Sequence, residues 1–227
     1  MQNIEAIFFD LFFTLIIPKY HLQQNENDVL GLSIEEWELY AKYEMIYKRR
    51  AIGIVNSPEE IIDEIVDSMP FSVSEMQKKK LLAFRKERMK NALINVEFEI
   101  VETIQKLRDN GIKIGLISNA DVIDAMYWPE SPLYNLFNDA VFSYEVKCLK
   151  PNSDIYNIAI QRMNVNPEKS VFVGDGGSDE LLGARKVGMK TVFTEHLDIK
   201  EPNKRNKIME GSDYHILHFS ELTDLFL

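Results

Sequence analysis

Residues 6–15 read AIFFDLFFTL, and this stretch restricts what the chain can become. An unbroken apolar run of this kind, without polar residues at alternate positions, has the pattern of a strand covered on both faces, as in parallel sheets flanked by helices. The run stops at one carboxylate, Asp10, and a hydroxyl follows at Thr14. At the carboxyl end of a parallel strand a carboxylate stands on the edge where open α/β sheets bind ligands; mid-strand it would be an uncompensated buried charge. An aspartate there can also simply cap the following turn.

With 227 residues, 45% of them hydrophobic, the chain can bury a sizeable core, as one domain or as a core with an insert. No apolar run approaches the roughly 20 residues of a membrane span. The first apolar stretch has no basic segment before it, so neither an anchor nor a signal peptide is expected. The single Cys148 excludes an intramolecular disulfide and suits a reducing compartment. The expectation is a cytoplasmic protein, monomer or homodimer, with no membrane partner. A net charge of -10 works against binding a nucleic-acid backbone, and Lys78, Lys79 and Lys80 read as a solvated helix face.

Residues 17–91 read as an all-helical insert. Ser33 and Glu36 form a capping box ahead of one long helix through Trp37, Ala41, Glu44 and Lys48. Ser57 starts another, with Pro58 in the first position and an apolar stripe of Ile61, Ile62, Ile65 and Val66; a third starts within 72–75. Arg49 and Arg50 could reach an anionic substrate, although a cation at a helix C-terminus needs no further reason. The flanking segments, 1–16 and 92–227, read as the core: strands at 112–118, 140–143, 170–173, 190–193 and 214–217 alternate with helices at 97–110, 153–163 and 179–187, and a last helix starts at Ser220. That alternation predicts βαβ units and a Rossmann-like parallel sheet, an α/β fold. Residues 195–212, polar and charged, read as a surface loop, as do 127–132.

Four segments recur in order: FFD with Asp10, LISNA (116–120), LKP (149–151) and VFVGDGGSDE (171–180). Together they resemble the four motifs of the haloacid dehalogenase superfamily of hydrolases, many of them phosphatases working through an aspartyl-phosphate. The resemblance covers the whole chain and rests on the set, since each motif alone is weak. It implies that the insert is a cap closing over the catalytic face, that Asp10 is the nucleophile, and that Lys150 holds phosphoryl oxygens or restrains the nucleophile. It further implies that the Ser118 hydroxyl and the Asn119 backbone N–H donate to the transferring phosphoryl group.

Asp175 and Asp179, on a Gly-rich turn opening a helix, can gather with Asp10 and the Phe12 backbone carbonyl around one Mg2+; Asp179 can also be a helix N-cap. Glu180 reads as the first-turn acid of that helix, with a place behind the metal ligands as the alternative, and Thr14 as ordering the loop after Asp10. One residue departs from the family pattern. The phosphatases usually carry a second Asp, their general acid and base, two residues after the nucleophile; here stands Phe12. An aromatic residue there is similar to the haloacid dehalogenases, which lack the two later carboxylates and need no metal. The reading is therefore a Mg2+-dependent phosphatase of a small phosphorylated metabolite, with two alternatives: a 2-haloacid dehalogenase, and a protein that binds a phospho-ligand with little turnover.

Overall fold

The computed structural model describes residues 4–20 and 24–227; residues 1–3 of the expected core and 21–23 of the expected cap lie outside them. The apolar runs become strands β1 (Ala6–Phe9), β2 (Lys113–Ser118), β3 (Asp139–Phe142), β4 (Ser170–Gly174), β5 (Lys190–Thr194) and β6 (Tyr214–Ile216). They form one six-stranded sheet in the order β3-β2-β1-β4-β5-β6, with every pair parallel. The α/β, Rossmann-like expectation is met. Because β1 is flanked by β2 and β4, the order reverses beside it, and the crevice that such a reversal opens lies at the end of β1 where Asp10 begins the loop.

The helices, in chain order, are α1 (Glu26–Leu30), α2 (Ile34–Ala41), α3 (Glu44–Ala51), α4 (Pro58–Asp67), α5 (Glu75–Ile94), α6 (Phe98–Asp109), α7 (Val122–Ala125), α8 (Ser143–Val146), α9 (Ser153–Met163), α10 (Glu180–Lys186), α11 (Pro202–Glu210) and α12 (Glu221–Phe226). Alternate residues of β1 serve two apolar layers, as a sheet covered on both faces requires. Ile7 and Phe9 pack with Ile100, Ile104 and Leu107 of α6, and Ala6 and Phe8 with Ile155 and Ala159 of α9. A third cluster, around Trp37, Ile61, Ile65 and Leu81, is the core of the helical insert. Phe12 packs against both the first and the third, so the loop after β1 joins core to insert.

Several details differ from the expectation. The helix from Ser33 is two, broken where Tyr43 takes an extended backbone (φ -54°, ψ 123°); the turn lets Trp37 of α2 and Ile46 of α3 both face inward. Ser74 caps α5 in a box with Gln77, and the helix runs past residue 91 to Ile94. The expected loop at 195–212 holds α11, whose first position is Pro202 and which buries none of its side chains. No helix among the described residues is long and apolar enough to cross a membrane.

Candidate active site

Asp10 extends the pairing of β1 with β4: its N–H donates to the Val173 carbonyl at 2.9 Å, which fixes the backbone from which the carboxylate projects. Thr14 donates its hydroxyl to Asp10 Oδ2 at 3.3 Å, and the Lys150 ammonium pairs with Oδ1. Lys150, buried, also reaches Glu180 Oε2 at 2.5 Å. Its backbone is clamped by Asn119, whose Oδ1 accepts the Lys150 N–H at 2.8 Å and whose Nδ2 donates to the Lys150 carbonyl at 3.2 Å. The Lys150-Pro151 peptide is cis. The Asn119 side chain thus holds the lysine in register with the nucleophile, a task its motif position did not reveal.

The turn after β4 supplies the other carboxylates. Asp175 Oδ1 accepts the Gly177 N–H at 2.9 Å, and Glu180 Oε1 accepts that of Gly176 at 3.2 Å. Gly174 is what lets the Glu180 side chain fold back over the strand end, since a Cβ there would stand 2.1 Å from Glu180 Oε1. Asp10, Asp175 and Glu180 each bring a carboxylate oxygen within 4.8 Å of the others. Asp179 is not among them: it is exposed, and Ser178 and Asp179 both take positive φ (53° and 51°), so the chain turns Asp179 outward and Glu180 inward. Glu180 begins its helix as read, and it is buried in the site itself, as the alternative reading has it.

Ser118 ends β2 as expected and is fully buried; its hydroxyl has no hydrogen-bond partner among the described residues. It lies beneath the cleft wall, whereas Asn119 lines it. Two residues of the site, Lys200 and Asp198, had no sequence signal. Lys200, from the segment before α11, sets its ammonium 2.5 Å from Asp175 Oδ2 and 2.5 Å from Asp198 Oδ2.

Burial pushes the Asp10 carboxyl up, and the neighbouring Asp175 adds to this against the pull of Lys150. Burial and Asp10 raise Glu180 further. Lys150 loses solvation yet is held above the ordinary lysine range by Asp10 and Glu180. Carboxylates crowded into a poorly solvated space call for positive charge. Their donors are hard oxygens, with no His or Cys in the cluster, a set that suits Mg2+ and not a softer metal.

The cluster opens into a cleft of about 550 Å³ between core and insert, walled on the insert side by Tyr20, Trp37, Tyr47, Arg85 and Arg88. The insert is tied to the core beside it. Arg85 Nη2 reaches Asp121 Oδ2 at 2.5 Å and Asp124 Oδ1 at 3.1 Å. Arg50 Nε lies 2.9 Å from Asp121 Oδ2, an ion pair by distance without the angle of a hydrogen bond. Asp121 also caps α7, accepting the N–H groups of Ile123 and Asp124. Arg49, the sequence neighbour of Arg50, instead pairs with Glu64 at the surface at 2.9 Å.

Known proteins resemble this chain in sequence and in fold. A glyceraldehyde 3-phosphate phosphatase of Methanopyrus kandleri is 28% identical over 130 residues, 56% of this chain and 54% of that protein. The chain spans about half the length of the first curated relatives it matches. The Pyrococcus furiosus protein of the same name matches at 24% identity over 99% of this chain and 94% of its own. Among solved structures, a dehalogenase superposes with a TM-score of 0.67 at 18% identity, covering 99% of this chain and 98% of that one. A haloacid dehalogenase family enzyme of Bacteroides thetaiotaomicron, in complex with magnesium and inorganic phosphate, does so with a TM-score of 0.66 at 18% identity, over 88% and 98% of the two chains. At such identities the likeness establishes the fold. A family profile matches residues 4–188, most of the chain and every motif described above, and the chain belongs to the haloacid dehalogenase-like hydrolases.

Proposed function

We propose that this protein is a Mg2+-dependent phosphatase of a small phosphorylated metabolite, acting through an aspartyl-phosphate on Asp10. The observation that carries the reading is the pairing of Asp10 with the buried Lys150 ammonium beside the carboxylates of Asp175 and Glu180. A carboxylate attacking a phosphate dianion meets charge repulsion, so a phosphatase site needs cations around its nucleophile. Asp10, Asp175 and the Phe12 carbonyl would hold Mg2+, which when bound supplies further positive charge beside the reacting oxygens. Exposed Asp179 leaves that ligand set.

In the first half of the reaction an Asp10 oxygen bonds to phosphorus as the leaving oxygen departs. In the second, water attacks the phosphorus and returns the carboxylate and inorganic phosphate. Thr14 and Lys150 hold the nucleophile, and the Asn119 clamp holds Lys150. Asn119, which lines the cleft, would donate its backbone N–H to phosphoryl oxygens; the Ser118 hydroxyl, without a partner among the described residues, would add a second donor only where the cleft wall above it opens. The insert covers the cleft and limits water to what hydrolysis needs. Relatives named for glyceraldehyde 3-phosphate and for ribulose-1,5-bisphosphate support a phosphorylated sugar as substrate. Phe12 supplies no proton, and positioned acid-base catalysis is worth about 10^2 to 10^4 in rate. Substrates whose leaving group departs unaided, aryl and acyl phosphates, should therefore turn over faster than sugar phosphates.

The test is inorganic phosphate release from a panel of aryl, acyl and sugar phosphates, with and without EDTA. Release that EDTA abolishes is expected. Chloride release from 2-chloropropionate, unaffected by EDTA, would replace this reading with dehalogenation. Phosphate binding without release from any substrate would leave a binding protein.

A further inference from the structure

Asp175 is held by a cation that the catalytic reading does not use. The Lys200 ammonium is shared between Asp175 Oδ2 and Asp198 Oδ2, 2.5 Å from each, and the residue is 7% exposed. It is not delivered on a loose tether. The Lys200 N–H donates at 2.6 Å to Oε1 of Glu195, a buried carboxylate that also pairs with Arg205 Nε at 2.7 Å and His215 Nε2 at 2.9 Å. The segment before α11 is thereby pinned to α11 and to β6, and it presents Lys200 to the cleft beside Phe13, 5.9 Å from the ring centroid.

Four carboxylates, Asp10, Asp175, Glu180 and Asp198, face two ammonium groups, Lys150 and Lys200. The shortfall is two positive charges, that of one divalent cation. Each Asp175 oxygen already accepts one donor, Oδ1 the Gly177 N–H and Oδ2 the Lys200 ammonium, and of the two only the ammonium opposes a metal ion by its charge. Of the two donors only the lysine has a second carboxylate to retreat to, Asp198, whose side chain is 41% exposed and costs less to pair with. We propose that Lys200 is a tethered counter-cation of Asp175, a positioning residue that competes with the divalent metal for Oδ2 and withdraws onto Asp198 when the metal binds. The inference rests on the Mg2+ reading of this site. It gives the lysine two effects: the cluster stays ordered without metal, and its metal affinity is lower than its carboxylates alone would set.

Calorimetric titration of Mg2+ into metal-free protein tests this, with wild type, Lys200→Met, Lys200→Arg, Asp198→Asn and the Lys200→Met/Asp198→Asn double variant, alongside thermal melts in EDTA and in Mg2+. Removing the competing charge should tighten Mg2+ binding roughly tenfold in Lys200→Met. Lys200→Arg should stay close to wild type. Asp198→Asn should bind more weakly, since the ammonium then rests on Asp175 alone, and should have little effect once Lys200 is gone. Mg2+ should also raise the melting temperature of Lys200→Met more than that of wild type. Equal or weaker binding by folded Lys200→Met overturns the proposal while leaving the metal reading intact, as does an Asp198→Asn effect of equal size with and without Lys200. Should Lys200→Met not fold, Asp198→Asn alone decides, and unchanged or tighter binding refutes the competition. No Mg2+ uptake by wild type or by Lys200→Met removes the metal reading and this proposal together.

Discussion

Among the described residues, two of the clusters of buried charge beside the cleft differ in their count. At the joint between core and insert, Asp121 and Asp124 face Arg50 and Arg85, two carboxylates against two guanidinium groups. At the end of β1 the carboxylates outnumber the ammonium groups. Burial raises the Asp124 carboxyl as it raises that of Asp10, so a displaced titration does not separate the clusters. The balance of charge does. A matched set is complete, and Arg suits it because its planar fork holds two carboxylates in fixed geometry. A surplus of carboxylates is complete only with a cation from outside, and it is served by lysines, whose ammonium groups can shift between partners. The first arrangement joins parts; the second leaves negative charge that a bound cation would offset.

The largest effect should come from Asp10→Asn, which removes the nucleophile at nearly constant volume. Phosphate release should fall by at least about 10^3-fold, the scale on which loss of a nucleophile acts. Stability measured without metal should hold or rise, because one surplus carboxylate is gone. Asp121→Asn should behave in the opposite way. Asn still caps α7, yet Arg50 and Arg85 are left sharing one carboxylate, and breaking a buried pair costs about 3–5 kcal/mol. Denaturant melts of the two variants settle the contrast: if Asp121→Asn is as stable as wild type while Asp10→Asn unfolds, charge balance does not distinguish joint from site.

The sheet was legible because its strands are apolar on both faces, and the expected runs at 112–118, 170–173 and 190–193 fall on β2, β4 and β5. Helix α11 was not, because it buries no residue and so has no apolar period to read. The break between α2 and α3 escaped for another reason: both halves are good helix formers, and packing of Trp37 and Ile46 decides the turn. Asp10, Lys150 and Asp175 were legible as motif residues, and the structure brings them together. Asp179 and Glu180 changed places because spacing cannot show that Ser178 and Asp179 take left-handed backbone, nor that Gly174 makes room for a carboxylate. Lys200 belongs to no motif, and only the fold carries it to Asp175.

The smallest predicted effect sharpens the comparison with two adjacent residues. Arg49 and Arg50 are alike in sequence, both in the last turn of α3, where a helix C-terminus favours either. The helix turns them apart: Arg49 pairs with Glu64 with its side chain 47% exposed, while the Arg50 side chain, 6% exposed, reaches Asp121. An exposed pair contributes about 0–1 kcal/mol, because water screens it and two long side chains must be ordered to form it. Arg49→Met should therefore shift the denaturation midpoint little and leave phosphate release unchanged, since the residue does not line the cleft. Arg50→Met should destabilise several-fold more, leaving part of the Asp121 charge to Arg85 alone. A salt titration adds a second readout: the small Arg49 effect should vanish by about 1 M salt, where the screening length is about 3 Å, while the Arg50 effect should persist. Equal losses from the two substitutions would mean that the guanidinium of Arg50 is not held by the joint; two aspartates would then face Arg85 alone, and the joint would not be a matched set.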